Sequence, residues 1–304
     1  MTTQQSPENS GVAECCKETE ILERYQYFPD AGQRVYQENR AHCGVKFKLA
    51  NVSAFLDHAQ RMMHDMKWSP DAIVGEYKIN PKTAGLTSIC TKTLYSYIDK
   101  GFMDTRNIDL LLKIGCKVRK KHSRMNRRIL GESIETRPPG VATRETFSHW
   151  EIDTVIGKKS GRKSLLTLLQ RKSRVFLIRS LEEHTVECVN EALMALQRDY
   201  GDEFAQVFQT IKADDGSEFY GLSDQLSSFG SKAHFCHPYS SWEKGANEKH
   251  NGMIRGLLPK GTSFADITPE SIARIQNWCN NLPRKILGYL TPLQGFQAGR
   301  LTAA

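Results

Sequence analysis

The sequence predicts an α/β protein: a mixed sheet with helices on its faces, preceded by a smaller helical region and a basic linker. Three observations carry that reading. The apolar runs HWEIDTVIG, SLLTLLQ and RVFLIRSL follow one another with only the charged turns KKSGRK and QRKSR between them, the pattern of an antiparallel meander. From Thr185 onward the apolar spacing alternates between helical and strand periods, giving helix, strand, helix, strand, helix. Pro138-Pro139-Gly140 punctuates the chain ahead of the first run, so residues 145–304 form the sheet-bearing domain, 113–144 the linker and 31–112 the helical region.

Residues 1–30 are polar and aperiodic apart from ILERYQYF, and are expected to be disordered. A helix is expected from Ser53 as N-cap, with Phe55, Ala59, Met62 and Met66 on its apolar face. WSPDAIVGEYK starts a second, with Ser69 as N-cap and Pro70 at the first helical position, where its missing N–H is no loss. ICTKTLYSYIDKG gives a third, with Leu94 and Ile98 buried and Gly101 as the stop. The last two form a helix-turn-helix-like pair at about 69–101, in which 91–100 would be the recognition helix and Lys92, Thr93 and Ser96 its DNA contacts. The connection NPKTAGLTS is longer than the usual roughly three or four residues, and a small helical bundle without a ligand is the competing reading.

Between Lys113 and Arg128 stand eight basic residues and no acid: Lys113, Lys117, Arg119, Lys120, Lys121, Arg124, Arg127 and Arg128. Such a run is either a phosphate-binding arm or a solvated basic linker. In the sheet domain, Val186, Val189, Leu193 and Leu196 mark the buried side of a helix over Thr185–Tyr200. A short helix near Phe219–Phe229, the strand AHFC and a helix within Ser240–Leu258 follow. A last helix starts at Thr268-Pro269-Glu270 and buries Ile272, Ile275 and Cys279.

Three acids stand out against this frame. As a helix, SSWEKGANEKHNGMIRGLL sets Glu248, Asn251, Gly252 and Arg255 on one face, with Ala246, His250, Met253 and Leu257 opposite. Asp153 lies within a mostly apolar strand, and Asp214 ends VFQTIKAD before Gly216. An acid in a first strand, one at the tip of a later strand and one on a following helix can converge on a point. Clustered carboxylates repel one another unless a cation is present, and hard oxygen donors suit magnesium or manganese.

The blocks WEIDTV, ADDGSEF and HPYSSWEKGANEKHNGMIRGLLPKG resemble the catalytic core of bacterial insertion-sequence transposases, more narrowly the DDE transposases of the insertion sequence thirty family. The 33 residues between Asp214 and Glu248 match that family's spacing. The resemblance implies an RNase H-like, integrase-type core in which Asp153, Asp214 and Glu248 are the catalytic acids and hold two Mg2+ or Mn2+ ions. It implies hydrolysis at the element's end, then transfer of the freed 3′-hydroxyl to another strand. The partners would be DNA, as terminal inverted repeats and target, and further copies of the chain, since cutting two ends together argues for at least a dimer. The likeness runs through NWCNNLPRKILGYLTP and, more weakly, back to about Gln33. Family members usually begin with an additional helix-turn-helix, for which the first residues offer neither room nor pattern, so the chain is expected to be N-terminally shortened. A non-cutting DNA-binding remnant and a structure-selective nuclease are the alternatives.

Around the three acids the residue roles divide. Asp215 stands where the family usually has Asn; it either caps the following turn or adds negative charge beside the metals. Glu218 reads as a helix-start residue. Asn251 is a supporting residue, and Arg255 either neutralises a phosphate or pairs with Glu248. Trp242 either stacks on an unpaired base or serves as core or lid. Lys244, Lys249 and Lys260 are candidate contacts to the DNA backbone.

The basic first half is consistent with binding a polyanion, with acidic protein partners as the alternative, and the resemblance implies a bacterial protein of the cytoplasm and nucleoid. The 304 residues carry a formal charge of +8, and residues 1–149 hold 23 Lys and Arg against 17 Asp and Glu, leaving 19 against 17 for the rest. No apolar run approaches a membrane span, and the first 30 residues lack a secretory core. The eight cysteines show no zinc-finger spacing and are expected to be reduced thiols. His234-Phe-Cys236-His237 is the tightest cluster of soft ligands, but a strand would split it between two faces.

Overall fold

The computed structural model describes residues 12–13, 26–42, 49–80, 82–83, 87–110, 132, 146–158, 161–237, 243 and 245–303. The chain divides into two compact units, residues 1–51 and 52–304. In the first, β1 (Val12–Ala13) pairs antiparallel with β2 (Gln26–Tyr27), and α1 (Pro29–His42) follows. Most of α1 is exposed, and Arg40 Nη1 donates to the Tyr36 hydroxyl one turn earlier at 2.8 Å. The disorder expected of residues 1–30 falls mainly outside the described residues.

The second unit opens with three helices, α2 (Ser53–Asp65), α3 (Pro70–Ile79) and α4 (Thr91–Asp99). Ser53 is not the cap expected of it. The chain already turns at Val52, which takes the N-cap position, so Ser53 is the first helical residue. Burial follows Phe55, Ala59 and Met63, while Met62 is half-buried and Met66, past the helix end, is exposed. Successive fourth residues form one ridge, and that ridge faces α3. The start of α3 is as expected: Ser69 Oγ accepts from the Ala72 N–H at 3.3 Å, and Pro70 holds the first helical position. Gly101 ends α4 at φ +73°, with Phe102 N–H donating to the Tyr97 carbonyl at 2.9 Å and Gly101 N–H to Ile98 at 3.1 Å. This is a Schellman stop, closed by an edge-on contact of the Tyr97 and Phe102 rings.

Among the described residues the sheet has five strands in the order β5-β4-β3-β6-β7. The antiparallel meander is β3 (His149–Ile156), β4 (Ser164–Gln170) and β5 (Phe176–Leu181). Next come α5 (Val186–Tyr200), capped by Thr185, and α6 (Phe204–Val207). They lead to β6 (Thr210–Ala213), which pairs parallel with β3. α7 (Leu222–Ser228) crosses to β7 (Lys232–Phe235), parallel to β6. Then come α8 (Gly245–Leu257), α9 (Pro269–Asn281) and α10 (Pro292–Ala303). Three antiparallel strands extended on one side by two parallel ones is the RNase H-like order.

Strand alternation divides the core between the two faces of this sheet. Trp150 and Ile152 pack with Leu193, Leu196, Phe208 and Ile211 on the face covered by α5. Val155 and Leu169 pack with Phe176, Ile254 and Cys279 on the face covered by α8 and α9. The edge strand β5 is closed by side-chain amides of α9. Asn280 accepts from Phe176 N–H at 2.8 Å and returns a bond to its carbonyl at 2.9 Å, and Gln276 accepts from Ile178 N–H at 2.7 Å. Backbone groups that would otherwise template another strand are thereby used up.

Cys90, Cys188, Cys236 and Cys279 are free thiols. Burial pushes the Cys279 thiol up to about 12, whereas the hydrogen bond from Thr93 lowers that of exposed Cys90. With iodoacetamide at about pH 8, Cys90 is expected to alkylate well before Cys279, which should react only on unfolding. Peptide mapping over time checks this, and early modification of Cys279 would contradict its packing. Among the described residues no helix is long and apolar enough to cross a membrane.

Candidate catalytic site

The site is built on the junction of β3 and β6. Their parallel register pairs His149 with Thr210, Trp150 with Ile211 and Glu151 with Lys212. Two residues past the last pair of this ladder come Asp153, on the β3 face that α8 and α9 cover, and Asp214, just beyond the end of β6. Both are half-buried. α8 is fixed against this point by one polar cluster: Asn251 Nδ2 donates to Asp153 Oδ2 at 2.7 Å. Thr167 Oγ lies 3.2 Å from Asn251 Oδ1 and 3.0 Å from the Asp153 carbonyl, so a residue of β4 holds both partners. Glu248, one turn ahead of Asn251, is exposed. Among the described residues no three His, Cys, Asp or Glu side chains are grouped closely enough to hold a metal ion as they stand.

Two residues behind each aspartate lies a buried ion pair that the sequence reading missed. Glu151 and Lys212 are each 1% exposed, and Lys212 Nζ is 3.0 Å from Glu151 Oε1, with Arg171 Nε at 3.6 Å from the same oxygen. Burial lowers the Lys212 pKa, and the charge of Glu151 opposes that shift. Lys212 Nζ also donates to the carbonyl of Glu243. The Glu243 carboxylate in turn accepts from His237 N–H at 3.0 Å and from its Nδ1 at 2.8 Å. Glu243, two residues ahead of α8, is therefore tied to β6 and to His237 just past β7. Opposite charges two places before each acid were the available signal, since alternation puts 151 with 153 and 212 with 214.

On the other face of β3, Thr154 Oγ donates to Glu218 Oε1 at 2.9 Å, and His184 Nε2 is 3.1 Å from the same oxygen. Glu218 does sit in a 3-10 turn, Ser217–Phe219, but as a buried acceptor rather than an exposed helix-start charge. Its carboxylate occupies the space where a side chain at Gly216 would stand. This braces the loop that carries Asp214.

α8 itself is turned by about one residue from the expected pattern. Asn247, His250 and Ile254 are its buried positions, while Ala246 and Met253 are only partly covered. Directing Asn251 at Asp153 imposes that rotation. Within the protein Arg255 donates to the Ile156 carbonyl and lies 5.8 Å from the Phe264 ring, rather than pairing with Glu248. Desolvation lowers its pKa. Of the expected DNA contacts, Lys92 is exposed and Thr93 and Ser96 are half-buried on α4; Lys249 and Lys260 are exposed. Trp242, Lys244 and the basic run with Lys117, Arg119, Lys120, Lys121, Arg124, Arg127 and Arg128 lie outside the described residues.

The chain is 35% identical over 232 residues to a probable transposase for insertion-like sequence element IS1161 of Streptococcus salivarius, covering 75% of this chain and 64% of that one. It is 33% identical over 238 residues to the transposase for insertion sequence element IS4351 of Bacteroides fragilis, covering 76% and 69%. Transposase InsI for insertion sequence element IS30C of Escherichia coli K12 is 29% identical over 248 residues, with 77% and 62% covered. The chain belongs to the insertion sequence thirty family of transposases. It spans 62% to 69% of the length of these relatives. No family model matches it. Among solved structures, the catalytic core domain of BIV integrase aligns at a TM-score of 0.39 and 14% identity, over 51% of this chain and 97% of that one.

Proposed function

We propose that this chain cuts DNA at the ends of an insertion sequence and joins the freed strand to target DNA, with Asp153, Asp214 and Glu248 as the acidic centre. The observation that supports this is the Asn251–Asp153 bond of 2.7 Å, which ties the helix that carries Glu248 to β3, the strand paired with the one that Asp214 follows. Their donors are hard carboxylate oxygens that fit Mg2+ or Mn2+, and two such ions are proposed. When bound there, they would lower the pKa of the attacking hydroxyl and offset charge on the leaving oxygen.

The chain's own residues do the positioning. Asn251 donates to Oδ2 of Asp153 and orients that carboxylate as an outer partner does for a ligand. Lys212 and Glu243 set where α8 starts, and hence where Glu248 stands. Lys92, Thr93 and Ser96 on α4, the basic run 113–128, and Lys244, Lys249, Arg255 and Lys260 are proposed to hold DNA, mostly through phosphates. At least two copies would be needed to process two ends together.

The test is magnesium-dependent nicking and joining on a labelled supercoiled donor that carries terminal repeats, wild type against Glu248→Ala. Joined products that vanish in the variant are expected. DNA binding with no cleavage by either protein would point instead to a repressor-like role, and cleavage without joining to a nuclease. Cutting that survives Glu248→Ala removes that residue from the centre.

A further inference from the structure

We infer that the cavity between the α2–α4 helices and the outer side of α8 and α9 receives a single unstacked nucleotide of a DNA strand. The cavity, about 550 Å³, is walled by Trp68, Tyr95 and Trp278, with Arg284 and Lys249 among its cations and Gly252 on its floor. Lys249 and Gly252 belong to α8, so the cavity lies on the flank of the helix that carries Glu248.

Two features of the lining define what fits. The first is aromatic: three large ring systems line one space, and Trp278 is held there by its Nε1–H bond to the Met66 carbonyl at 2.7 Å. The second is a charge. Arg284 is buried enough for desolvation to lower its pKa, and its Nη2 reaches Met253 Sδ at 3.1 Å and the Cys279 carbonyl at 3.4 Å. Among the described residues no carboxylate pairs with it. The acids in the lining are engaged elsewhere: Asp71 with Thr91 and Tyr289, and Asp109 with the Arg106 N–H. A flat ring joined to an anion suits both features; a nucleotide is that combination. An apolar peptide would leave the guanidinium without a counter-charge.

The inference rests on the DNA-processing role proposed above for the source of the nucleotide, and its test is kept separate from catalysis. Gly252 allows a clean block, because a Cβ there meets nothing within 4 Å and the position is mid-helix. Binding of a fluorescent single-stranded oligonucleotide to the full chain is measured with EDTA present, wild type against Gly252→Leu. The variant is expected to keep its melting temperature and its duplex affinity, and to lose about tenfold in single-strand affinity, in line with the stacking of one base. A 5-iodouracil-substituted strand should photo-crosslink to Trp68, Tyr95 or Trp278 in wild type and not in the variant. Unchanged single-strand affinity, an equal loss on duplex, or crosslinks elsewhere would each overturn the inference. If the binding behaves as expected while wild type joins no ends with magnesium, the enzyme reading fails and the nucleotide site stands.

Discussion

Asp153→Asn is expected to abolish strand joining while leaving the fold and DNA binding in place. The carboxamide has the shape of the carboxylate and can still accept from Asn251 Nδ2, so the α8–β3 contact survives. What disappears is the Asp153 charge that the proposed acidic centre needs. Losing a metal-holding acid removes several kcal/mol of transition-state stabilisation, on the order of 10³-fold or more in rate. Asn251→Ala should behave differently. It keeps all three acids but removes the bond to Asp153 Oδ2, so a loss of about 10- to 100-fold is expected, the usual effect of removing an outer partner of a ligand. Single-turnover joining assays on pre-cleaved ends measure both, with anisotropy reporting DNA affinity. An Asp153→Asn protein that joined ends at more than a tenth of the wild-type rate would refute the acidic centre.

The sequence made the sheet legible because its first three strands are adjacent in the chain and separated only by charged turns. β4 lies at Ser164–Gln170, where the apolar run put it, and Asp214 directly follows β6. Caps with local chemistry were equally readable: Ser69, Thr185 and Thr268 each accept from a backbone N–H three residues on. What escaped depends on contacts distant in sequence. The rotation of α8 is set by Asn251 meeting Asp153, 98 residues away. The Glu151–Lys212 pair joins residues 61 positions apart on two parallel strands, so the opposite charges ahead of the two acids become a signal only once β3 and β6 are known to be neighbours. α10 was missed for another reason: PLQGFQAGRLTA has few apolar residues and two glycines, and Phe296 is its buried anchor in the sheet core.

Lys212→Met is expected to be the most destabilising single change near the site, and to show what the buried pair is for. It leaves Glu151, 1% exposed, with Arg171 at 3.6 Å as its one remaining cation and with no partner for Oε2 among the described residues. Breaking one half of such a pair costs about 3–5 kcal/mol, because the remaining charge is stranded in low dielectric. The double change Glu151→Leu/Lys212→Met removes both charges and should recover most of that loss, as hydrophobic replacement of a buried pair often does. Urea unfolding of the two single variants and the double one measures this directly. Activity should not recover with stability. In the double variant the Lys212 ammonium no longer holds the Glu243 carbonyl, so α8 enters from a looser segment and Glu248 is less well placed. A refolded, stable double variant that joins ends slowly would assign Lys212 to positioning Glu248. Full activity in that variant would mean that the pair serves stability alone, and that the His237–Glu243 bonds are enough to place the helix.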